Sequence, residues 1–203
     1  MKYLLVPLML LLLTACAAPP KPSPAPEQLL LNSLEGRNGL NTLPGDYRLH
    51  LAIERPIASS PLRSREIWYR DADHRLAPFS RHIWADSLDN QLQQLLTEYL
   101  GQELWIQAAL PDQPGYRADY RLRLLINQWY LDTRSRKLQI SLQLNLLDAA
   151  GNNLLQQQWS AEQSVRDMSA EGMARASHRW LQGWAAEVSE LLYEHLKNLD
   201  LDQ

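Results

Sequence analysis

The sequence predicts an α+β fold, a single domain in which a mainly antiparallel or mixed sheet carries two long helices packed on one face. Several stretches alternate apolar and polar side chains with a period of two residues, which is typical of half-buried strands. Two other stretches repeat apolar side chains every three or four residues, which is typical of amphipathic helices. The order of strands, one helix, four strands and a final helix favours one layered domain, with polar side chains on the sheet face that lacks helices.

The first part of the chain is expected to form short strands. Residues 29–34 are an apolar run that predicts a first strand, and the glycines and proline of 35–46 predict a loop after it. Residues 47–54 alternate apolar and polar side chains, which predicts a strand that Pro56 ends. A hairpin is expected next, from strands at 67–70 and 75–78 around a turn at 71–74.

The sequence of the rest of the domain predicts the two helices and four longer strands. The first helix is expected to end at Gly101, and its apolar stripe consists of Trp84, Leu88, Leu92, Leu95, Leu96 and Tyr99. The second helix is expected from about Ser169 to Leu196. The strands between them are expected at 104–110, 120–127, 138–146 and 155–161, with turns at 133–136 and 149–152.

The first fifteen residues have the layout of a secretory signal. Lys2 precedes an apolar stretch at residues 3–13, and small residues lead to Cys16, the single cysteine of the chain. Eleven residues span roughly 16 Å as a helix, about half of the hydrocarbon thickness of a bilayer, which excludes a membrane-spanning segment. We therefore expect cleavage before Cys16 and acyl chains, palmitate among them, on this residue. The alternative is a buried free thiol that follows a leucine-rich run.

Lipidation at Cys16 determines what the rest of the chain is expected to do. Two or three acyl chains anchor a protein stably to a membrane. An aspartate directly after the lipidated cysteine tends to retain lipoproteins on the inner membrane, so Ala17 indicates the outer membrane, on its periplasmic side. Residues 16–28 hold five prolines and predict an extended spacer that reaches up to about 35 Å from the membrane. The domain is then expected at residues 29–200.

Composition and motifs exclude several classes of function. The formal net charge of −3, with both signs interspersed, argues against a nucleic-acid partner. The sequence contains no Gly-x-Ser-x-Gly elbow, no glycine-rich phosphate loop and no His-Glu-x-x-His motif. Asp71, Asp73 and His74 share a turn, where solvation and backbone hydrogen bonds explain them better than a metal does. The sequence therefore predicts no catalytic residue, no cofactor and no metal site.

Two groups of side chains allow two interpretations each. Trp180 and Trp184 lie one helical turn apart and either cover the sheet or present a platform for lipid or sugar. A second group lies on the polar side of the predicted strands and forms either an ordinary solvated face or a surface that a partner or a second copy covers. Its members are Arg121, Arg123, Gln139, Gln143 and Asn145.

Two passages resemble a known family. Residues 61–70 read Pro-Leu-Arg-Ser-Arg-Glu-Ile-Trp-Tyr-Arg, and residues 83–88 read Ile-Trp-Ala-Asp-Ser-Leu at the start of a helix. Together with the strand that ends near residues 160–162 and an alanine-rich last helix, they resemble the ABC-type transport auxiliary lipoproteins, the PqiC-like group. The stretch 58–61 departs from this pattern, since relatives tend to carry a more apolar segment there. We therefore transfer only Cys16 and the structural Trp84 from the family.

The resemblance implies a function as well as a fold. It implies an outer-membrane lipoprotein without catalytic activity that docks to a membrane-anchored MCE-domain protein, in a system that moves phospholipids between the two membranes. Assembly of several copies into a ring with this partner belongs to the same expectation. The alternative from a different class is a lipoprotein of outer-membrane or lipopolysaccharide assembly. A periplasmic hydrolase is the third class, and the missing catalytic motifs count against it.

Overall fold

The structure is a computed structural model that describes residues 24–36 and 48–201. The predicted signal peptide, Cys16, most of the spacer and most of the loop predicted at 35–46 lie outside the described residues. The lipidated cysteine, the spacer and this loop therefore stay predictions. Neither helix of the described part combines the length and the apolar character that crossing a bilayer requires.

The described residues form one mixed sheet and two α-helices, as the sequence predicts. The strands are β1 (Glu27–Leu29), β2 (Leu49–Ile53), β3 (Ile57–Ala58), β4 (Glu66–Ala72), β5 (Arg75–Trp84), β6 (Ile106–Pro111), β7 (Tyr120–Asp132), β8 (Lys137–Asp148) and β9 (Asn153–Ser164). The helices are α1 (Leu88–Leu100) and α2 (Ala170–Leu201), and a short 3-10 helix spans Ser60–Arg63. The α+β fold in a single domain is confirmed.

Strand β7 is the centre of the sheet. Strand β8 pairs with it in antiparallel fashion along nearly its whole length, and β9 continues the sheet beyond β8. On its other side β7 pairs in turn with the parallel strands β2, β3 and β4. Strand β6 extends the sheet beyond β2, whereas β5 and then β1 extend it beyond β4. One long strand therefore holds together several shorter ones that lie far from it in the sequence.

One face of this sheet and both helices form a shared hydrophobic core. The alternating leucines and isoleucine of β8, from Leu138 to Leu146, are buried, and they lie opposite the buried side chains of β7. The apolar stripe of α1 packs into the same core, and so do Met173, Leu181 and Val188 of α2. The alternation in β8 thus has the expected cause, since one of its faces is fully buried whereas most side chains of the other face are half-buried.

The predicted start of the first helix and the predicted extent of the first strand were wrong. Trp84 is the last residue of β5 and not the first of the helix, because its backbone N–H donates to Arg65 O at 2.7 Å. Its indole is buried, so it shares the core with Leu88 without sharing the helix. The first strand covers Glu27–Leu29 rather than 29–34, since beyond Leu29 the next buried donor, Leu31 N, bonds the side chain of Gln91 at 2.8 Å.

The predicted hairpin and the second helix are longer than expected. Strands β4 and β5 leave only Asp73 and His74 between Ala72 and Arg75, so the turn is tighter than the predicted 71–74.

Helix α2 starts where the sequence predicts and runs on to Leu201, past the predicted end at Leu196. Ser169 lies just before α2, and its hydroxyl accepts a hydrogen bond from Gly172 N at 3.1 Å. This contact caps the helix where the sequence predicts its start.

Candidate functional site

The face of the sheet that points away from the helices carries an uncharged polar patch. Gln143 lies opposite Gln158, and Asn145 lies opposite Gln156, on neighbouring antiparallel strands. Gln143 and Asn145 are half-buried and joined by a hydrogen bond of 3.3 Å, whereas Gln156 and Gln158 are exposed. These four residues are called the amide face below. A side-chain amide offers both a hydrogen-bond donor and an acceptor. This face can therefore donate hydrogen bonds to the polar surface of another protein and accept hydrogen bonds from it.

Ion pairs border the amide face on two sides. Arg123 makes two hydrogen bonds with Glu54, at 2.6 and 3.1 Å, and this bonding raises the pKa of the Arg123 guanidinium above its usual value. Arg121 lies 3.7 Å from Asp112, and Lys137 pairs with Glu162 at the opposite end. The arginines that the sequence analysis placed on this face are therefore neutralised, which leaves the middle of the face polar without net charge.

Strand β9 adds an open edge beside the amide face. It pairs with β8 on one side, and no strand of the described residues pairs with its other side. The strand spans 12 residues, with Glu162 as its single charged side chain. A long edge of this kind presents a row of backbone N–H and C=O groups to which a further strand can be added.

On the opposite, helix-covered face of the sheet, Trp180 and Trp184 pack against the core. Trp180 and Trp184 stack at 5.6 Å between ring centroids, and Trp184 also meets Trp159 edge to face at 5.8 Å. Trp184 is buried and Trp180 is half-buried. The interpretation that this pair covers the sheet is confirmed, and the lipid or sugar platform is wrong for Trp184.

The acidic hairpin turn is tied to arginines. Asp71 accepts a hydrogen bond from Arg75 Nε at 2.7 Å, and the hydrogen bonds from Arg75 hold the pKa of the Asp71 carboxyl below its usual value. Asp73 pairs with Arg134 of the neighbouring β7–β8 turn. In the part of the chain that the structure describes, His74 joins no group of potential metal ligands. These residues therefore brace two turns against each other.

A different group of potential ligands is brought together only by the fold. Glu27 of β1, His82 of β5 and Glu171 of α2 place their ligand atoms within 4.8 Å of one another. His82 Nε2 lies 2.9 Å from Glu171 Oε1 and 3.6 Å from Glu27 Oε2. The pKa of Glu171 is lowered, first by a hydrogen bond from its own backbone N–H and then by one from Ser169. No spacing in the sequence joins these residues, so a reading of motifs could not have found them.

Two cavities of the described residues are lined mainly by charged and small side chains. A cavity of about 610 Å³ near the start of α2 is lined by arginines, and Arg175 there donates to Asp167 at 2.8 Å. A second cavity of about 470 Å³ lies at Arg55 and Asp89, which form an ion pair at 2.7 Å. Neither lining contains a histidine or a cysteine. Covalent catalysis most often relies on a serine or a cysteine paired with a histidine.

Solved structures share this fold. A crystal structure from Xanthomonas campestris, described with the family label DUF330, superposes with a TM-score of 0.68 at 15% identity, over 79% of this chain and 94% of the other. A crystal structure described only as an uncharacterized protein superposes with a TM-score of 0.67 at 15% identity, over 83% of this chain and 99% of the other. Likeness at this identity establishes the fold. Among curated proteins, none matches the sequence significantly.

The sequence itself matches a family model. Residues 34–189 match the model described as the ABC-type transport auxiliary lipoprotein component, which includes all of the sheet except β1 and most of α2. The two passages that carry the resemblance, residues 61–70 and 83–88, lie inside the matched range. The resemblance found in the sequence is thereby confirmed, and the chain belongs to the family of ABC-type transport auxiliary lipoprotein components.

Proposed function

We propose that this protein is a lipid-anchored docking subunit of an MCE-type system that moves phospholipids between the inner and outer membranes. Membership of a family of transport auxiliary lipoproteins is the observation that carries the proposal. The amide face supports it, because a polar, neutral and partly exposed surface suits reversible contact with another protein better than enclosure of a lipid chain. The same match favours this function over a role in outer-membrane or lipopolysaccharide assembly.

The membrane end of the protein is proposed to be Cys16. Cleavage before this residue and its acylation leave the domain on a proline-rich spacer, and Ala17 after the cysteine favours the outer membrane. A spacer of this composition lets the domain stand up to about 35 Å from the headgroups on the periplasmic side. The domain can then meet a partner that extends from the inner membrane.

The partner end is proposed to be the amide face, with an MCE-domain protein as its occupant. Gln156 and Gln158 are exposed there, whereas Gln143 and Asn145 are fixed by their positions in the middle of the sheet. The open edge of β9 borders the same surface and suits contact between copies of this chain, since pairing of backbone groups needs no particular side chain. We infer that several copies form a ring around the partner.

The protein is proposed to act without catalysis. The two cavities at Arg175 and at Arg55 each contain an arginine–aspartate ion pair, and neither lining includes a histidine or a cysteine. An auxiliary subunit needs only surfaces, and energy for transport would come from another component. Esterase and glycosidase assays on the purified protein test this part of the proposal, and turnover above the background would refute it.

The docking proposal is tested by purifying the Cys16-anchored protein from membranes after mild crosslinking and identifying its partners by mass spectrometry. The wild type should enrich an MCE-domain protein, because the amide face is intact. Gln158→Lys places an uncompensated charge on this face and should abolish the enrichment, whereas Gln94→Lys on the exposed side of α1 serves as the matched control and should retain it.

The outcomes separate the candidate functions. Absence of any MCE-domain protein or transporter component from the wild-type sample would refute the proposal, and enrichment of outer-membrane assembly proteins would support the alternative. Light scattering on the detergent-solubilised protein measures the number of copies. A monomer at all concentrations would refute the ring but would leave docking by single copies intact.

A further inference from the structure

We propose that Glu27, His82 and Glu171 form a zinc site that fastens β1 to the last helix of the domain. The three residues come from the first strand, from β5 and from the first turn of α2. Their ligand atoms, one from each side chain, all lie within 4.8 Å of one another. This proposal concerns a site away from the amide face, and it does not depend on the proposed docking function.

The distances fit the size of a zinc ion. Zinc binds histidine nitrogen and carboxylate oxygen at about 2.0–2.2 Å, which places two ligands of a tetrahedral ion about 3.4 Å apart. The distances from His82 Nε2 are 2.9 Å to Glu171 Oε1 and 3.6 Å to Glu27 Oε2, on either side of that value. The oxygens of Glu27 and Glu171 lie within 4.8 Å of each other, so rotation of these two side chains can arrange three ligands around one ion.

The donor set also fits zinc in its chemistry. One imidazole and two carboxylates provide three ligands, and the two negative charges balance the charge of the ion. The His82 side chain is only 15% exposed, so the ring is held by its surroundings, whereas Glu27 is 78% and Glu171 is 37% exposed. The exposed side leaves the fourth position open to water, as in zinc sites with three protein ligands.

The proposed ion would act on a weakly held part of the domain. Strand β1 has three residues and pairs only with β5 among the described strands, with Glu27 directly opposite His82. This strand follows the proline-rich stretch, so any pull on the proposed lipid anchor at Cys16 would reach the domain here first. An ion held by β1, β5 and α2 would add a link that the few backbone hydrogen bonds of β1 do not provide.

The same contacts would also occur if a protonated His82 were simply paired with two carboxylates. The two arrangements differ in what they bind, since the ion-paired cluster has no specific affinity for zinc. The test uses the full chain in detergent with Cys16→Ser, so that the result does not depend on whether Cys16 is acylated, and titrates it calorimetrically with zinc chloride alone. We expect one zinc ion per chain.

Variants and spectroscopy make the test specific. His82→Asn and Glu171→Gln should each weaken zinc binding by more than about tenfold, since even the loss of a residue that only orients a ligand costs about that much. His50→Asn is the matched control, because His50 lies 3.5 Å from a single carboxylate, that of Asp119, and its loss should leave binding unchanged. X-ray absorption of the zinc-loaded chain should show one imidazole nitrogen among oxygen ligands.

Hydrogen exchange provides a readout of the fastening itself. Zinc should slow exchange of the amides in Glu27–Leu29 in the wild type and in His50→Asn, and should have no such effect in His82→Asn. The proposal is overturned if the wild type binds no zinc or if His82→Asn and Glu171→Gln bind it as well as the wild type does. It is also overturned if the bound zinc has no histidine ligand.

Discussion

Trp129 and Ser177 are joined across the interface between β7 and α2, where the indole Nε1 donates to the serine Oγ at 3.2 Å. Both side chains are buried, and Trp129 also meets Trp180 edge to face at 5.9 Å between centroids. The bond satisfies the only polar atom of a large aromatic side chain in the middle of the core. It fixes the position of α2 over the central strand of the sheet.

Ser177→Ala should destabilise the domain. The indole N–H of Trp129 would remain buried without its acceptor, which costs about 1–3 kcal/mol, partly offset by the better helix propensity of alanine. The free energy of unfolding in urea measures the effect. Ser160→Ala on the exposed side of β9 is the control and should change it by less than about 0.5 kcal/mol. Equal effects of the two changes would contradict the role assigned to this bond.

The two glycines of α2 should respond in opposite directions to alanine. A Cβ on Gly172 would lie 1.9 Å from the backbone oxygen of Asp167, so Gly172→Ala must displace the segment before the helix, at a cost of about 1–3 kcal/mol. A Cβ on Gly183 would meet nothing within 4 Å. Gly183→Ala should therefore stabilise the protein by about 0.5–1 kcal/mol through helix propensity. The midpoint of thermal unfolding distinguishes the two variants. An unchanged midpoint for Gly172→Ala would contradict the close contact between Gly172 and the backbone of Asp167.

Asp132 should make stability depend on pH. Burial acts to raise its pKa, but hydrogen bonds from Arg70 and from the backbone of Arg134 and Ser135 outweigh this, so the pKa of Asp132 lies below its usual value. A carboxyl with a lowered pKa in the folded state stabilises that state above its unfolded pKa of about 3.9, and this contribution is lost as pH falls through the folded pKa.

Asp132→Asn should accordingly lower the free energy of unfolding at neutral pH, and the difference from the wild type should shrink in acid. Urea unfolding at about pH 7 and about pH 3 measures both values. Asp73→Asn, which removes an exposed ion pair with Arg134, is the control and should change stability little at either pH. A difference for Asp132→Asn that stays constant with pH would exclude this carboxyl as a source of acid sensitivity.

The stacked tryptophans should differ in their contribution to stability. Trp184 is buried between Trp159 and Trp180, so Trp184→Ala should cost about 3–5 kcal/mol. Trp180→Ala removes a half-buried ring and should cost less. Chemical denaturation followed by circular dichroism measures both. A larger loss for Trp180 than for Trp184 would contradict the packing described.

The sequence by itself determined the features that depend on neighbours along the chain. The alternation from Leu138 to Leu146 defined a strand with one buried face, and the spacing from Leu88 to Tyr99 defined an amphipathic helix that ends at Gly101. The polar alternates Gln143 and Asn145 were placed on the correct face for the same reason. Local periodicity identifies elements and their faces, because both follow from backbone geometry within a few residues.

The tertiary structure alone decided which distant residues meet. Trp84 has the spacing of the helix that follows it, but its pairing with Leu29 of β1 and its backbone hydrogen bond to Arg65 place it in a strand, since sheet hydrogen bonds come from residues far away in the sequence. The choice of β7 as the central strand and the meeting of Glu27, His82 and Glu171 arise in the same way. Strand order and long-range clusters depend on how the apolar faces of all the elements pack together in one core. A pattern within a few residues contains no information about that packing.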